Sequence, residues 1–161
     1  MDVFAIGGQA VDYNEQSILS VAQKGMPHKE EEHMAPLTLA YLGDTVYDLF
    51  IRSRLIARHN LNVHGLHERA SRFVRASAQA RVAAALYADL TPMEQSVLRR
   101  GRNAKVSTVP KNADIGEYHM ATGLEAVLGY LYLSKQKERL GTLLDAAWNI
   151  MEKDADTHGE G

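Results

Sequence analysis

The sequence predicts an all-α domain of about six or seven helices, and three observations carry that expectation. Ala and Leu together supply 39 of the 161 residues, against 24 Val, Ile and Thr, a bias toward helix formers. Long stretches repeat apolar residues at helical spacing, and no convincing alternating strand interrupts them. Helix-boundary chemistry also recurs along the chain. Thr91-Pro92-Met93-Glu94 is the clearest case, a capping box with Pro at the first helical position.

Taken in order, residues 1–13 show no clear period and read as an extension. Asn14 to Lys24 reads as a short helix, with Asn14 as N-cap, Gly25 just past its end and Pro27 beyond. Residues 1–30 are therefore expected to form an N-terminal extension with a short helix, and 31–153 the main body. After Glu30-Glu31-Glu32 a helix is expected from about Ala35 to Ala57. Its apolar residues (Leu37, Leu39, Tyr41, Leu42, Val46, Leu49, Phe50) go nearly all round, the pattern of a buried central helix. His64 to Tyr87 reads as one long helix or two joined near Ser77. Within it Arg69, Arg72 and Arg75, three apart, lie within about 120° around the axis and form one basic face. The helix opened by Thr91 is expected to run to about Arg100–Asn103, followed by a loop over Val106–Asn112 containing Pro110. A second largely apolar helix is expected from about Asp114 to Leu133, and an amphipathic one from about Lys135 to Lys153. The tail, 154–161, is expected to be disordered. Neither an internal repeat nor an interdomain linker is visible.

Composition narrows the functional classes. No apolar run approaches the roughly 18–20 residues that span a bilayer, and no basic segment precedes an apolar stretch near the start, so neither a membrane anchor nor a signal peptide is expected. With no Cys, the chain has no disulfide framework, thiolate zinc site or thiol nucleophile, and a reducing cytoplasm is the default expectation. The formal net charge of −2 argues, as an average, against a nucleic-acid partner. Its distribution does not. Residues 50–111 hold twelve Lys and Arg against three acids, a net +9, while the flanks sum to −11. Ten of those twelve cations are Arg, which forks onto phosphate better than Lys does. The strip is either a solvated helix face or a phosphate-binding surface, and the second reading needs a chemical signal nearby.

Two carboxylates give that signal. Asp44 sits mid-helix in Ala40-Tyr41-Leu42-Gly43-Asp44-Thr45-Val46-Tyr47, where both Gly43 and Asp44 are poor helix-interior residues. Glu125 lies in Ala121-Thr122-Gly123-Leu124-Glu125-Ala126-Val127-Leu128-Gly129, again beside glycines. A buried carboxylate is costly unless paired or bound to a cation. Either each acid pairs with an Arg or caps a neighbouring helix, or the glycines let two backbones approach and bring the acids together. Two converging carboxylates without Cys or His support suit Mg²⁺ or Mn²⁺, hard ions that prefer oxygen ligands and serve phosphoryl transfer.

Leu39-Ala40-Tyr41-Leu42-Gly43-Asp44-Thr45-Val46-Tyr47 resembles the signature helix of the ribonuclease III catalytic domain. The segment Ala121 to Leu133 resembles its second acidic motif. Between them, Gly101-Arg102-Asn103-Ala104-Lys105 is similar to a segment of the Mini-ribonuclease III branch, which lacks a double-stranded-RNA-binding domain. The resemblance spans about residues 34–152, and the three segments stand in the expected order and spacing. It implies a ribonuclease III-type endonuclease domain, a symmetric homodimer that holds duplex RNA in a valley and cuts one strand per subunit with divalent metal. It places Asp44 and Glu125 as catalytic and metal-holding acids. It also implies 5′-phosphate and 3′-hydroxyl products, and maturation of large-subunit ribosomal RNA precursors with a ribosomal protein as a possible helper.

Phosphate contacts are expected from the basic strip, namely Arg69, Arg72, Arg75, Arg102, Asn103, Lys105 and Lys111, with Arg102, Asn103 and Lys105 nearest the cut. The pattern departs from full-length ribonuclease III at two positions. Acids stand there four residues before the aspartate and three before the glutamate, whereas this chain has Ala40 and Thr122. One Mg²⁺ per subunit is the expectation, with Mn²⁺ able to substitute and water or RNA phosphate completing the shell. Asp48, one turn beyond Asp44, could assist or could be a surface acid. His59, His64 and His67 lack a carboxylate at ligand spacing and read as solvent-facing or phosphate-contacting. Two rivals remain: a non-catalytic RNA-binding or ribosome-associated module that kept the fold, and a helical scaffold with a merely solvated basic strip.

Overall fold

A computed structural model describes residues 33–158 of the chain. The expected extension and the short helix Asn14–Lys24 lie outside the described residues. Among those described are six α-helices, one 3₁₀ turn and no strand: α1 Pro36–Arg58, α2 Val63–Val74, α3 Ala76–Leu86, the 3₁₀ turn Tyr87–Asp89, α4 Pro92–Asn103, α5 Ile115–Leu133 and α6 Lys137–His158. The all-α expectation holds.

Local chemistry sets the helix starts. Pro36 stands in the first turn of α1. The Asn62 side chain accepts from the Gly65 amide to open α2, and Asp114 accepts from the Glu117 amide to open α5. At α4 the capping box forms as expected: the Glu94 amide donates to Thr91 Oγ1 at 3.2 Å, and the Thr91 amide donates to Glu94 Oε2 at 2.9 Å. The same Glu94, 2% exposed, accepts from Arg139 Nε at 2.9 Å, which staples α4 to α6. Burial alone would push the Glu94 carboxyl up, yet the bonds from Arg139 and Thr91 hold it below the usual carboxylate range.

The central element is α5, packed against α1, α3 and α4. Its leucines and small residues are buried almost without interruption from Ala121 to Leu133, apart from partial exposure at Glu125 and Tyr130. On α1 the expectation of all-round burial fails. Leu39, Val46, Tyr47, Ile51 and Leu55 are buried, but Leu37, Tyr41, Leu49 and Ile56 are exposed, Tyr41 at 83%. At 100° per residue those four fall within an arc of about 120° on one face. The apolar residues on the far side of α1 therefore belong to an uncovered surface and not to this chain's core.

Two more boundaries sharpen or shift the expectation. Of the two readings offered for His64 to Tyr87, the two-helix one holds: the break falls at Arg75, two residues before Ser77, where an extended backbone (φ −64°, ψ 150°) separates the helices. The last helix begins at Lys137, and it continues past Lys153 to His158. Ion pairs anchor that end: Arg58 to Glu152 at 3.5 Å and Arg81 to Asp154 at 3.2 Å. Upstream on α6, Trp148 stacks on Phe73 of α2 at 4.8 Å, with the Arg54 and Arg58 guanidinium groups lying over it. Among the described residues no helix is long and apolar enough to cross a membrane.

Candidate active site

The helices α1 and α5 cross at their glycines. A Cβ placed on Gly43 would stand 1.7 Å from the Glu125 carbonyl oxygen, and one on Gly129 would stand 2.0 Å from the Leu39 carbonyl oxygen. Only hydrogen fits at either position, so the two backbones touch. Asp44 follows Gly43 directly, and Glu125 lies one helical turn before Gly129. The crossing therefore brings their carboxyl groups near one another, close enough for the Asp44 charge to act on Glu125. A second glycine contact, Gly101 against Gly123 and Ala126, seats α4 on the other flank of α5.

Burial and charge act together on this pair. Asp44 is exposed and Glu125 half-buried. Burial pushes the Glu125 carboxyl up to about 8, and the neighbouring Asp44 charge pushes in the same direction. Two carboxylates that cannot both ionise comfortably will share a proton or a cation. A divalent cation suits the donor set: it prefers oxygen, and Mg²⁺ is commonly held by one or two carboxylates with water and substrate phosphate. Asp44 and Glu125 are the residues that would hold it. The two positions where the sequence departs from full-length ribonuclease III add no ligand. Ala40 is buried and has no side-chain oxygen, and the Thr122 hydroxyl donates back to the Tyr118 carbonyl at 3.0 Å. Among the described residues no group of three or more His, Asp or Glu could hold a metal. Asp48 is engaged elsewhere, accepting from Arg52 Nε at 2.8 Å.

One neighbour of the pair escaped the sequence reading. Gln79 on α3 is 2% exposed, its Nε2 donates to the Val74 carbonyl at 2.9 Å, and its amide stands near enough to the Glu125 carboxyl to favour the charged form. A signal was present, because Gln79 shares the register of Ala83 and Leu86, both buried, at four- and seven-residue spacing.

The expected phosphate contacts divide into two groups. Arg102, Asn103 and Lys105 line one open depression of about 570 Å³, together with Val106, Val109 and His119. Arg102 Nε donates to Asn103 Oδ1 at 3.3 Å, so the two heads lie together. His119 was not expected there, and its Nδ1 is buried without a protein partner. Arg69 and Arg72 on α2 and Arg75 at the break are exposed but line no part of this depression, nor does Lys111. His59 approaches the Arg69 guanidinium at 3.5 Å, joining it to the basic face of α2.

Comparison with known proteins gives this geometry a context. The ribonuclease III domain family matches residues 37–136. A Mini-ribonuclease 3 of Symbiobacterium thermophilum is 51% identical over 120 residues, covering 74% of this chain and 92% of that protein. A Mini-ribonuclease 3 of Thermoanaerobacter is 42% identical over 120 residues, covering 74% and 84%. A crystal structure of a Fusobacterium nucleatum protein superposes with a TM-score of 0.67 at 28% identity, covering 73% of this chain and 93% of that one.

Proposed function

The chain belongs to the Mini-ribonuclease 3 branch of the ribonuclease III family and is an endoribonuclease, and from that premise we propose that it cleaves double-stranded RNA at Asp44 and Glu125 with Mg²⁺, Mn²⁺ being able to substitute. The observation that supports this most is the glycine crossing of α1 and α5, which brings two carboxyl groups together at an accessible edge of an otherwise apolar crossing. When bound, a divalent cation neutralises charge on the scissile phosphate and makes water a stronger nucleophile. The chain's own groups prepare the ground. Asp44 and Glu125 would hold the cation, with Glu125 releasing its proton to solvent as the cation takes its place. Arg102, Asn103 and Lys105 take the flanking phosphates, while Arg69, Arg72, Arg75 and Lys111 extend the same electrostatic track along the duplex. A-form RNA is recognised largely through shape and backbone, so arginines and an asparagine at a helix end suit it.

The exposed apolar face of α1 supports a homodimer. Leu37, Tyr41, Leu49 and Ile56 flank Asp44 on the same face, so a symmetric pairing there would set two carboxylate sites near one another, one for each strand. We place the catalytic domain within residues 31–153, and the activity in the cytoplasm on ribosomal RNA precursors of the large subunit, with a ribosomal protein as a candidate presenting partner. Light scattering at micromolar concentration should give twice the 17.8 kDa chain mass. A monomer under those conditions would contradict the paired-site reading.

The direct test incubates the purified protein with a structured RNA duplex in Mg²⁺ and in EDTA. Cleavage should appear only with the metal, and binding without cleavage in Mg²⁺ would favour the non-catalytic rival. Arg102→Ala and Lys105→Ala should each weaken duplex binding regardless of sequence. Each should also lower the slope of log affinity against log salt by about one, as expected for one lost phosphate contact. Unchanged binding and slope would show that the RNA track lies elsewhere.

A further inference from the structure

Three polar or charged residues are buried among the described residues: Gln79, Glu94 and Thr122. Two of them have full structural accounts. Glu94 closes a capping box and pairs with Arg139, and Thr122 bonds back onto its own helix. Gln79 does not. Its Nε2 donates to the Val74 carbonyl at 2.9 Å, while its Oε1 is buried with no hydrogen-bond partner. An unsatisfied buried carbonyl costs about 1–3 kcal/mol, so a leucine of similar volume would suit this position better if stability were the only demand. A residue that breaks the burial rule beside a functional group is the pattern expected where function overrides stability.

The amide is well placed for that role. Gln79 lies on α3, which packs directly on α5. One Nε2 hydrogen is committed to Val74, the last residue of α2, at the break between α2 and α3. That bond restrains the amide, which also lies near enough to the Glu125 carboxyl to favour its charged form. The carboxyl rotor of a glutamate is intrinsically broad, so without a fixed donor the Glu125 oxygens would sample many orientations.

We propose that Gln79 is a positioning residue for Glu125, its buried, Val74-anchored amide holding the carboxylate in the orientation that serves the cation shared with Asp44. The inference rests on the two-carboxylate reading given above. Outer-shell partners of this kind are typically worth about 10- to 100-fold in metal affinity or activity.

Gln79→Leu supplies the test, with Gln79→Met as a second near-isosteric variant should the first fail to fold. Three measurements are made on each full-length variant: thermal unfolding without metal, Mn²⁺ binding by calorimetry without RNA, and steady-state cleavage of a duplex. The expected result is an unchanged or raised Tm, Mn²⁺ affinity weakened by about 10- to 100-fold, and kcat lowered by a similar factor. KM for RNA should move less than about twofold, because Gln79 is too deeply buried to touch the duplex. Mn²⁺ affinity and kcat within about twofold of the parent would overturn the proposal, as would a loss confined to KM. Failure of both variants to fold would assign the amide to the fold and overturn it equally. Glu125→Gln, run alongside, separates the two levels. If that variant still cleaves, the carboxylate site itself is wrong. If it is inactive while Gln79→Leu is unaffected, only the positioning role falls.

Discussion

Asp44→Asn and Glu125→Gln are each expected to slow duplex cleavage by about a thousandfold or more, roughly 4 kcal/mol of transition-state stabilisation, while leaving the helices intact. The size follows from the economy of the site: among the described residues two carboxylates make up the acidic set, since Ala40 has no side-chain oxygen, the Thr122 hydroxyl bonds back onto its own helix and Asp48 is paired with Arg52. Groups that act as a unit lose their effect together, so the double variant should be scarcely worse than either single one. Cleavage that survives both substitutions would end the nuclease assignment of this pair.

The same pair makes a pH prediction whose sign can be worked through. Burial and the Asp44 charge raise the Glu125 carboxyl from 4.5 to about 8, so the folded state binds that proton more tightly than the unfolded chain does. In EDTA the associated stability is fully present below about 4.5 and is lost as pH rises through about 8. Glu125→Gln has no proton to lose and should be the more stable protein at the alkaline end. With Mn²⁺ the ion must displace the proton, so metal affinity should climb as pH rises toward 8 and then level off. Calorimetric titration at several pH values checks this, and a flat profile would show that Glu125 is not protonated before the metal arrives.

How legible the site was depended on whether a residue broke a local rule. Asp44 and Glu125 stood out because each is a carboxylate placed among apolar residues and beside glycines, against helix propensity and burial alike. The role of the glycines could be inferred from their placement, although which backbone atoms they meet could not. Gln79 was harder to see. A lone glutamine between alanines on a helix of weak amphipathicity reads as surface, and only its register with Ala83 and Leu86 marked it as interior. The burial of α1 was misjudged for a physical reason. Leu37, Tyr41, Leu49 and Ile56 carry the same hydrophobicity whether they face a core or an uncovered surface, and periodicity alone cannot separate the two. The junction between α2 and α3 was legible only to within two residues, because Arg75 is neither Pro nor Gly and no turn chemistry marks it.

Gly43→Ala and Gly129→Ala should be the most damaging substitutions to the fold. The atoms that a Cβ on Gly43 would strike are backbone: the Glu125 carbonyl oxygen at 1.7 Å, its carbon at 2.6 Å and the Gly129 nitrogen at 2.8 Å. A Cβ on Gly129 would strike the Leu39 carbonyl oxygen at 2.0 Å and carbon at 2.8 Å. No rotamer change relieves either clash, so α1 and α5 must separate along their whole contact. A gap of even 0.5–1 Å forfeits roughly a quarter to a half of the dispersion energy across such an interface. Overpacking of this kind costs about 3 kcal/mol or more, against a total stability of roughly 5–15 kcal/mol for a domain. A fall in Tm of about 10 °C or more is expected for each variant by thermal circular dichroism. Gly101→Ala meets a side-chain carbon, Ala126 Cβ, at 2.9 Å and should be milder. Gly141→Ala is the control: it sits within α6 with nothing inside 4 Å, and removing a helical glycine there should raise stability by roughly 0.5–1 kcal/mol. If Gly43→Ala melts within a degree or two of Gly141→Ala, the close crossing is not what holds α1 against α5. If it melts early but refolds with its carboxylates apart, Mn²⁺ affinity will fall along with Tm, because the contact that joins the helices is the one that sets Asp44 beside Glu125.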